Sequence, residues 1–277
     1  MRQLPLPGGD QLPVLGQGTW GMGERGSDRE AESAALRRGL DLGIGLIDTA
    51  EMYGAGGAEE VVAAAIRGRR EEAQLVSKVF PHNASRRGAV EACERSLRRL
   101  GTDHLDGYLL HWRGSTPLEE TLAAFEQLRE SGKLRWYGVS NFDPDDMGDL
   151  WSHAAGRGCA TDQVLYNLTR RGPELDLLPW CRAAELPVMA YSPIEQGRLL
   201  DDEVLRAVAE RHGATPGQVA LGWVLHAEGV CAIPKAATPG HVDDNLAALE
   251  LRLTSEDLGE LDQRFPAPAQ PVPLDVL

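Results

Sequence analysis

No apolar run in the 277-residue sequence exceeds six residues, well short of the roughly 20 that a membrane-spanning helix needs. The opening residues, Met-Arg-Gln-Leu-Pro-Leu-Pro, lack the continuous apolar core of a signal peptide. The four cysteines, Cys93, Cys159, Cys181 and Cys231, show no paired spacing for zinc or for a redox dithiol. Seven histidines are equally scattered, so no metal is expected. Positive charge is in deficit: 28 Lys and Arg stand against 42 Asp and Glu, a net charge of −14. Such a surface disfavours nucleic acid as the main partner. These absences point to a cytoplasmic chain with reduced thiols and no membrane association.

What is present is an alternation. Short runs rich in Val, Ile and Leu occur at 13–16, 45–48, 74–78, 106–111, 134–140, 161–164, 187–191 and 230–234. Runs of this kind suit strands buried on both faces of a parallel sheet. Between them lie longer segments with one apolar stripe. Val90, Cys93, Leu97 and Leu100 recur at helical spacing, as do Leu118, Leu122 and Phe125 behind Pro117. Eight strand–helix units predict an α/β fold, a (β/α)8 TIM barrel, with an open doubly wound sheet as the competitor. Residues 1–14 read as an N-terminal β-hairpin turning at Gly8-Gly9-Asp10. Residues 215–228 read as an additional helix, and one or two such helices are expected. Residues 266–277, rich in proline, read as an extended tail. No linker divides the chain, so 1–277 is expected to form one domain.

Polar residues recur where the apolar runs end: Thr19, Asp48, Lys78, His111, Ser140 with Asn141, Gln163, Tyr191 with Ser192, and Lys235. In a barrel all of these open onto one mouth. An acid, a phenol, an ammonium and an imidazole together suit protonation of a carbonyl oxygen as hydride reaches its carbon. A phenol with a reference pKa near 10 is a sluggish acid at neutral pH. An ammonium beside it would lower that value. Lys78 would be that cation, Asp48 its counter-ion, Tyr53 the proton donor and His111 a donor that fixes the substrate oxygen.

The motifs carrying this pattern are Leu-Gly-Gln-Gly-Thr-Trp at 15–20, Ile-Asp-Thr-Ala-Glu-Met-Tyr-Gly at 47–54, Val-Ser-Lys at 76–78 and Leu-Leu-His-Trp at 109–112. Gly-Val-Ser-Asn-Phe at 138–142, Gln-Val-Leu-Tyr-Asn at 163–167, Ala-Tyr-Ser-Pro at 190–193 and Ile-Pro-Lys at 233–235 follow. From about residue 11 to residue 250 the chain resembles the bacterial aldo-keto reductases. The resemblance implies a catalytic tetrad of Asp48, Tyr53, Lys78 and His111, and NADPH bound across the mouth. Ser140, Asn141 and Gln163 would hold the carboxamide, and Tyr191 would stack on the nicotinamide. The loop of Ser192, Pro193, Ile194, Gln196 and Gly197 would wrap the pyrophosphate. Gly18, Thr19, Trp20 and Asp48 would join the cofactor contacts at the nicotinamide side. Ile233, Pro234, Lys235, Ala236, His241, Asp244 and Asn245 would face the adenosine end. Trp20, Phe80, His111 and Trp112 would line the substrate pocket.

Two positions depart from the family pattern. Ala236 stands where the family usually has Ser, and His241 where it usually has Arg. NADPH use is expected, with NADH use possible. The implied reaction is reduction of a small-molecule aldehyde or ketone by a monomer, and the short tail implies an open site accepting medium-chain or aromatic aldehydes or 2-keto sugars. Three other readings compete. Gly16-Gln-Gly18-Thr-Trp-Gly21 matches a dinucleotide phosphate turn, but Met22 to Asp28 reads as loop where that turn needs a helix. Lys78 alone could form a Schiff base, which leaves Tyr53 without a role. An NADP(H)-binding regulatory subunit on the same fold is the alternative from a different class.

Overall fold

A computed structural model describes all residues, 1–277. The chain opens with an antiparallel hairpin, β1 (Gln3–Pro5) and β2 (Gln11–Pro13), in which Leu4 faces Leu12. Eight parallel strands follow in sequence order: β3 (Gln17–Gly18), β4 (Leu46–Asp48), β5 (Gln74–Val79), β6 (Leu105–Leu110), β7 (Leu134–Ser140), β8 (Cys159–Leu165), β9 (Val188–Tyr191) and β10 (Val230–Ala232). Bridges from Leu15 to Ala232 and from Gly18 to Lys235 join the first strand region to the last. The sheet therefore curls into a barrel, and the open doubly wound alternative is excluded.

The apolar runs form strands because both of their faces are covered. Every residue of β6 and β8 is buried. One face packs outward against the helices in a 63-residue core. The other turns inward, where Leu46, Val76, Leu109, Trp136, Met189 and Cys231 cluster with Leu6 and Leu12 from the hairpin. The hairpin thus plugs the barrel floor. Trp136 fills the interior only because residue 107 is glycine; a Cβ there would lie 2.2 Å from the indole. Close packing of this kind leaves no room for one more methyl group.

Ten helices complete the fold: α1 (Arg29–Asp41), α2 (Gly57–Ile66), α3 (Arg86–Leu100), α4 (Leu118–Glu130), α5 (Pro144–Ser152), α6 (Leu177–Ala183), α7 (Glu203–His212), α8 (Pro216–His226), α9 (Pro239–Ala247) and α10 (Ser255–Arg264). The α3 stripe is as its spacing implies, with Cys93, Leu97 and Leu100 buried and Val90 at the edge. Ser85 caps its start by accepting from the Gly88 amide, and Gly101 ends it at φ 67°.

Two expectations need correction. Residues 215–228 are not the additional helix, because α8 packs on β10 and α9 and buries six side chains, among them Val219, Leu221, Trp223 and Val224. The outer helices are α7, which buries only Leu205, Val208 and Ala209, and α10, which packs on it. The first barrel strand begins at Gln17 rather than Pro13, which ends β2. Gln17 is tied down by its own side chain, whose amide donates to the Leu36 and Ile44 carbonyls. Residues 266–277 form neither helix nor strand, as their proline content implies. Leu274 rests against the core, and Asp275 pairs with Arg170 at 3.4 Å.

Candidate active site

The parallel order carries the C-terminal ends of β3 to β10 to one rim. Asp48 ends β4, Lys78 lies one residue from the end of β5, and His111 follows β6 directly. Ser140 ends β7, Gln163 lies near the end of β8 and Tyr191 ends β9. Tyr53 reaches the same point from the single turn after β4.

The centre is a fully buried ammonium with three acceptors. Lys78 Nζ donates to Asp48 Oδ2 at 2.7 Å, to the Thr49 carbonyl at 2.9 Å and to the Tyr53 hydroxyl at 3.3 Å. Three donors meet three acceptors, so the charge has no unsatisfied proton. Asp48 Oδ1 accepts from Gln163 Nε2 at 2.8 Å, and Thr19 Oγ1 donates to the Asp48 carbonyl at 2.9 Å. His111 meets Tyr53 edge-on, with ring centroids 5.6 Å apart. Its Nδ1 is buried without a partner.

Burial pushes Asp48 up and Lys78 down, each toward its neutral form, and their mutual attraction opposes both shifts. The short contact and full set of partners favour the ion pair. Burial, with the lysine adding to it, drops His111 to about 2, so its ring is neutral at physiological pH. Tyr53 departs from expectation. Burial, reinforced by the Asp48 charge, holds its phenol well above 10 rather than below it. Burial is the larger cause, and the Asp48 carboxylate, which holds the ammonium at 2.7 Å, adds to it. This environment keeps the Tyr53 phenol protonated.

The expected cofactor residues fall into two groups. The first is wired to the tetrad. Ser140 Oγ donates to the Gln163 carbonyl, Asn141 Nδ2 to the His111 carbonyl, and the Tyr191 hydroxyl to Asn141 Oδ1. Asn141 sits at φ 59°, a left-handed conformation that asparagine tolerates. Beyond Tyr191, Ser192 (φ 46°) and Gln196 (φ 56°) take the same unusual conformation, with Pro193 and Ile194 between them and Gly197 closing the turn. The buried Glu195 carboxylate, accepting from Asn167, Arg170 and Arg198, pins this loop. The second group is looser. Gly18, Ile233 and Pro234 sit where the barrel closes, and the Gly18 amide donates to the Pro234 carbonyl. Ala236 is buried; Lys235, His241 and Asp244 are exposed and Asn245 is half-buried. Asp244 accepts from Gln218, and the His241 amide donates to Thr238, which caps α9.

Phe80 and Trp112 meet edge to face at 4.8 Å, and Trp112 lies 5.0 Å from His111. Trp20 is 54% exposed and makes no ring contact with them. One residue escaped notice in the sequence. Glu51, three residues after Asp48, accepts from the Phe80 amide and from Asn83. A charged residue inside an otherwise small and apolar turn was the available signal. No group of three His, Cys, Asp or Glu side chains could hold a metal.

A parallel α/β barrel whose mouth gathers a buried ammonium–carboxylate pair, a phenol and a neutral imidazole is the framework of an enzyme that moves protons at an oxygen. The chain belongs to the aldo/keto reductase family, whose model matches residues 14–264. It is 53% identical to the Methylglyoxal reductase YeaE of Escherichia coli, covering 100% of this chain and 99% of that protein. It is 33% identical to the Glyoxal reductase of Bacillus subtilis, over 94% of this chain and 91% of that one. A crystal structure of an aldo/keto reductase from Klebsiella pneumoniae in complex with NADP and acetate superimposes with a TM-score of 0.96 at 50% identity, over 99% of both chains.

Proposed function

We propose that residues 1–277 act as one barrel domain that reduces the carbonyl of an aldehyde or ketone, with Tyr53 as proton donor. NADPH, when bound, supplies the hydride. The observation that carries this reading is the position of Lys78 Nζ, 2.7 Å from Asp48 and 3.3 Å from the Tyr53 hydroxyl. As negative charge grows on the substrate oxygen, Tyr53 gives up its proton and the adjacent ammonium stabilises the phenolate left behind. His111, neutral in this setting, donates an N–H to the same oxygen and fixes the carbonyl against the phenol. Asp48 keeps Lys78 charged and aimed.

The residues at the mouth suit a nicotinamide dinucleotide. Gln163 commits its amide N–H to Asp48, which leaves its Oε1 free to accept from a carboxamide. The turn from Ser192 to Gly197, directly after β9 and with Ser192, Glu195, Gln196 and Gly197 at positive φ, is a candidate for the pyrophosphate. Lys235 with the start of α9 gives a local positive site on an acidic chain. Lys235 supports NADPH; Ala236 and His241 in place of Ser and Arg leave NADH use open. Given the methylglyoxal reductase relative, a short 2-oxoaldehyde is the first substrate to try. We further read the chain as a cytoplasmic monomer, which sedimentation would check.

Mixing the protein with NADPH and methylglyoxal should consume NADPH absorbance. Replacing Tyr53 by Phe should abolish this while NADPH still quenches the protein's tryptophan fluorescence. If the parent binds NADPH but turns over no carbonyl in a broad panel, the regulatory-subunit reading takes its place.

A further inference from the structure

Glu51 lies in sequence between Asp48 and Tyr53, yet it is not among the partners of Lys78 Nζ and instead bonds to the segment after the next strand. Its Oε1 accepts from the Phe80 amide at 2.8 Å and from Asn83 Nδ2 at 2.9 Å. Its Oε2 lies 3.6 Å from Arg95 Nη2, and its side chain is only 10% exposed. Its own amide points at the Lys78 carbonyl at 3.5 Å. The Phe80 ring in turn packs on Trp112, Trp112 on His111, and His111 on Tyr53. These contacts close a circuit. Starting from Tyr53, the path runs through His111 and Trp112 to Phe80 and returns through Glu51 to the turn that holds Tyr53. Without Glu51 the circuit is open at one point, where the loop after β5 meets the loop after β4.

We infer that Glu51 is a positioning residue that sets the distance between the proton-donating phenol and the aromatic wall formed by Phe80 and Trp112. Through that distance it favours small carbonyl substrates over bulky ones. The inference rests on the reductase reading of the same mouth. A wall held by a hydrogen bond to its backbone stays against a small substrate whose oxygen meets Tyr53, a packing contact made equally before and during the chemical step, so its loss appears in KM rather than kcat. An oxygen acceptor, rather than a charge, is what the Phe80 and Asn83 donors require.

The test compares Glu51→Ala and Glu51→Gln with the parent, using NADPH with methylglyoxal and with a bulky aromatic aldehyde. Glu51→Ala should raise KM for methylglyoxal roughly five- to tenfold, as expected for loss of an ordered hydrogen-bonded contact. The kcat for methylglyoxal should stay within about twofold of the parent, and KM for the bulky aldehyde should hold or fall. Glu51→Gln keeps an oxygen at the same place and should restore the parental preference. Should Glu51→Ala not fold, judged by its melting curve, Glu51→Asp draws the oxygen back by one carbon and should show the same loss of preference. An unchanged preference in Ala or Asp, equal shifts in Ala and Gln, or a fall in kcat with KM intact would each overturn the inference. NADPH affinity, read by fluorescence quenching, should not move in any variant. Turnover by the parent tests the reductase reading separately, so the two failures are distinguishable.

Discussion

The two ends of the barrel use similar side chains to opposite effect. At the floor, beneath the hairpin, a cleft of about 420 Å³ is lined by Arg70, Asp106, Arg135, His104 and other polar groups. The buried and half-buried charges there are already answered. Arg70 donates to Thr102, to the Ala73 and His104 carbonyls and to Asp106, while Arg135 pairs with Asp10 and Asp106. At the mouth the ion pair of Lys78 and Asp48 is also saturated, but the groups around it are not. Tyr53 is a third partner rather than a surplus one, and His111 Nδ1 and Thr49 Oγ1 are buried without partners. Size and polarity of an opening therefore say little about chemistry. What separates the ends is whether buried polar atoms remain for something else to engage.

Substitutions can sharpen or break this contrast. The largest effect should come from Tyr53→Phe, with kcat falling by about 10²- to 10⁴-fold, the range for loss of a positioned proton donor, and with NADPH binding intact in a fluorescence titration. Lys78→Met should also end turnover, and it leaves Asp48 buried and unpaired. Denaturant melts should show a loss of about 3–5 kcal/mol. Its floor counterpart, Arg70→Met, strands Asp106 less severely, since the Leu75 amide still donates to that carboxylate. A cost of about 1–3 kcal/mol is expected, with kcat/KM unchanged. If Arg70→Met impaired turnover as Lys78→Met does, the contrast would collapse.

A smaller effect follows from His111. Its pKa in the fold is about 2, below the unfolded value of 6.5. The unfolded chain therefore binds a proton that the folded chain refuses, and stability is lost as pH falls below 6.5. Between pH 7 and pH 5 the loss from this group is at most about 2 kcal/mol. Melting of His111→Asn should be correspondingly less sensitive to acid over that interval. The smallest effect should come from the exposed adenosine end. His241→Arg should raise the preference for NADPH over NADH by several-fold, as one surface charge pair with a phosphate allows, measured as a ratio of kcat/KM values.

Much of the mouth was legible in the sequence because strand ends are local features. An apolar run that stops at Asp48 or Lys78 declares its own boundary, and a parallel barrel brings such boundaries together without further information. Properties that depend on what lies across the fold were not legible. Lys78 beside the Tyr53 phenol reads as acidifying it, but burial, with the Asp48 charge adding to it, wins. The choice between α7 and α8 as the outer helix depends on which one meets β10. Glu51 looked like one more polar residue in a turn until the register of β4 against β5 put the Phe80 amide within its reach.

The contact between Leu15 and Ala232 has a consequence for how the chain is made. The segment that begins the barrel emerges about two hundred residues before the strand that completes its pairing. At roughly 5–20 residues per second, that wait lasts on the order of 10–40 s during synthesis. Throughout it, β3 and whichever strand was made last present bare backbone edges of the kind that recruit other chains. A nascent polypeptide stopped short of β10 keeps both edges, so interrupted translation of this fold should yield aggregates rather than a smaller stable product.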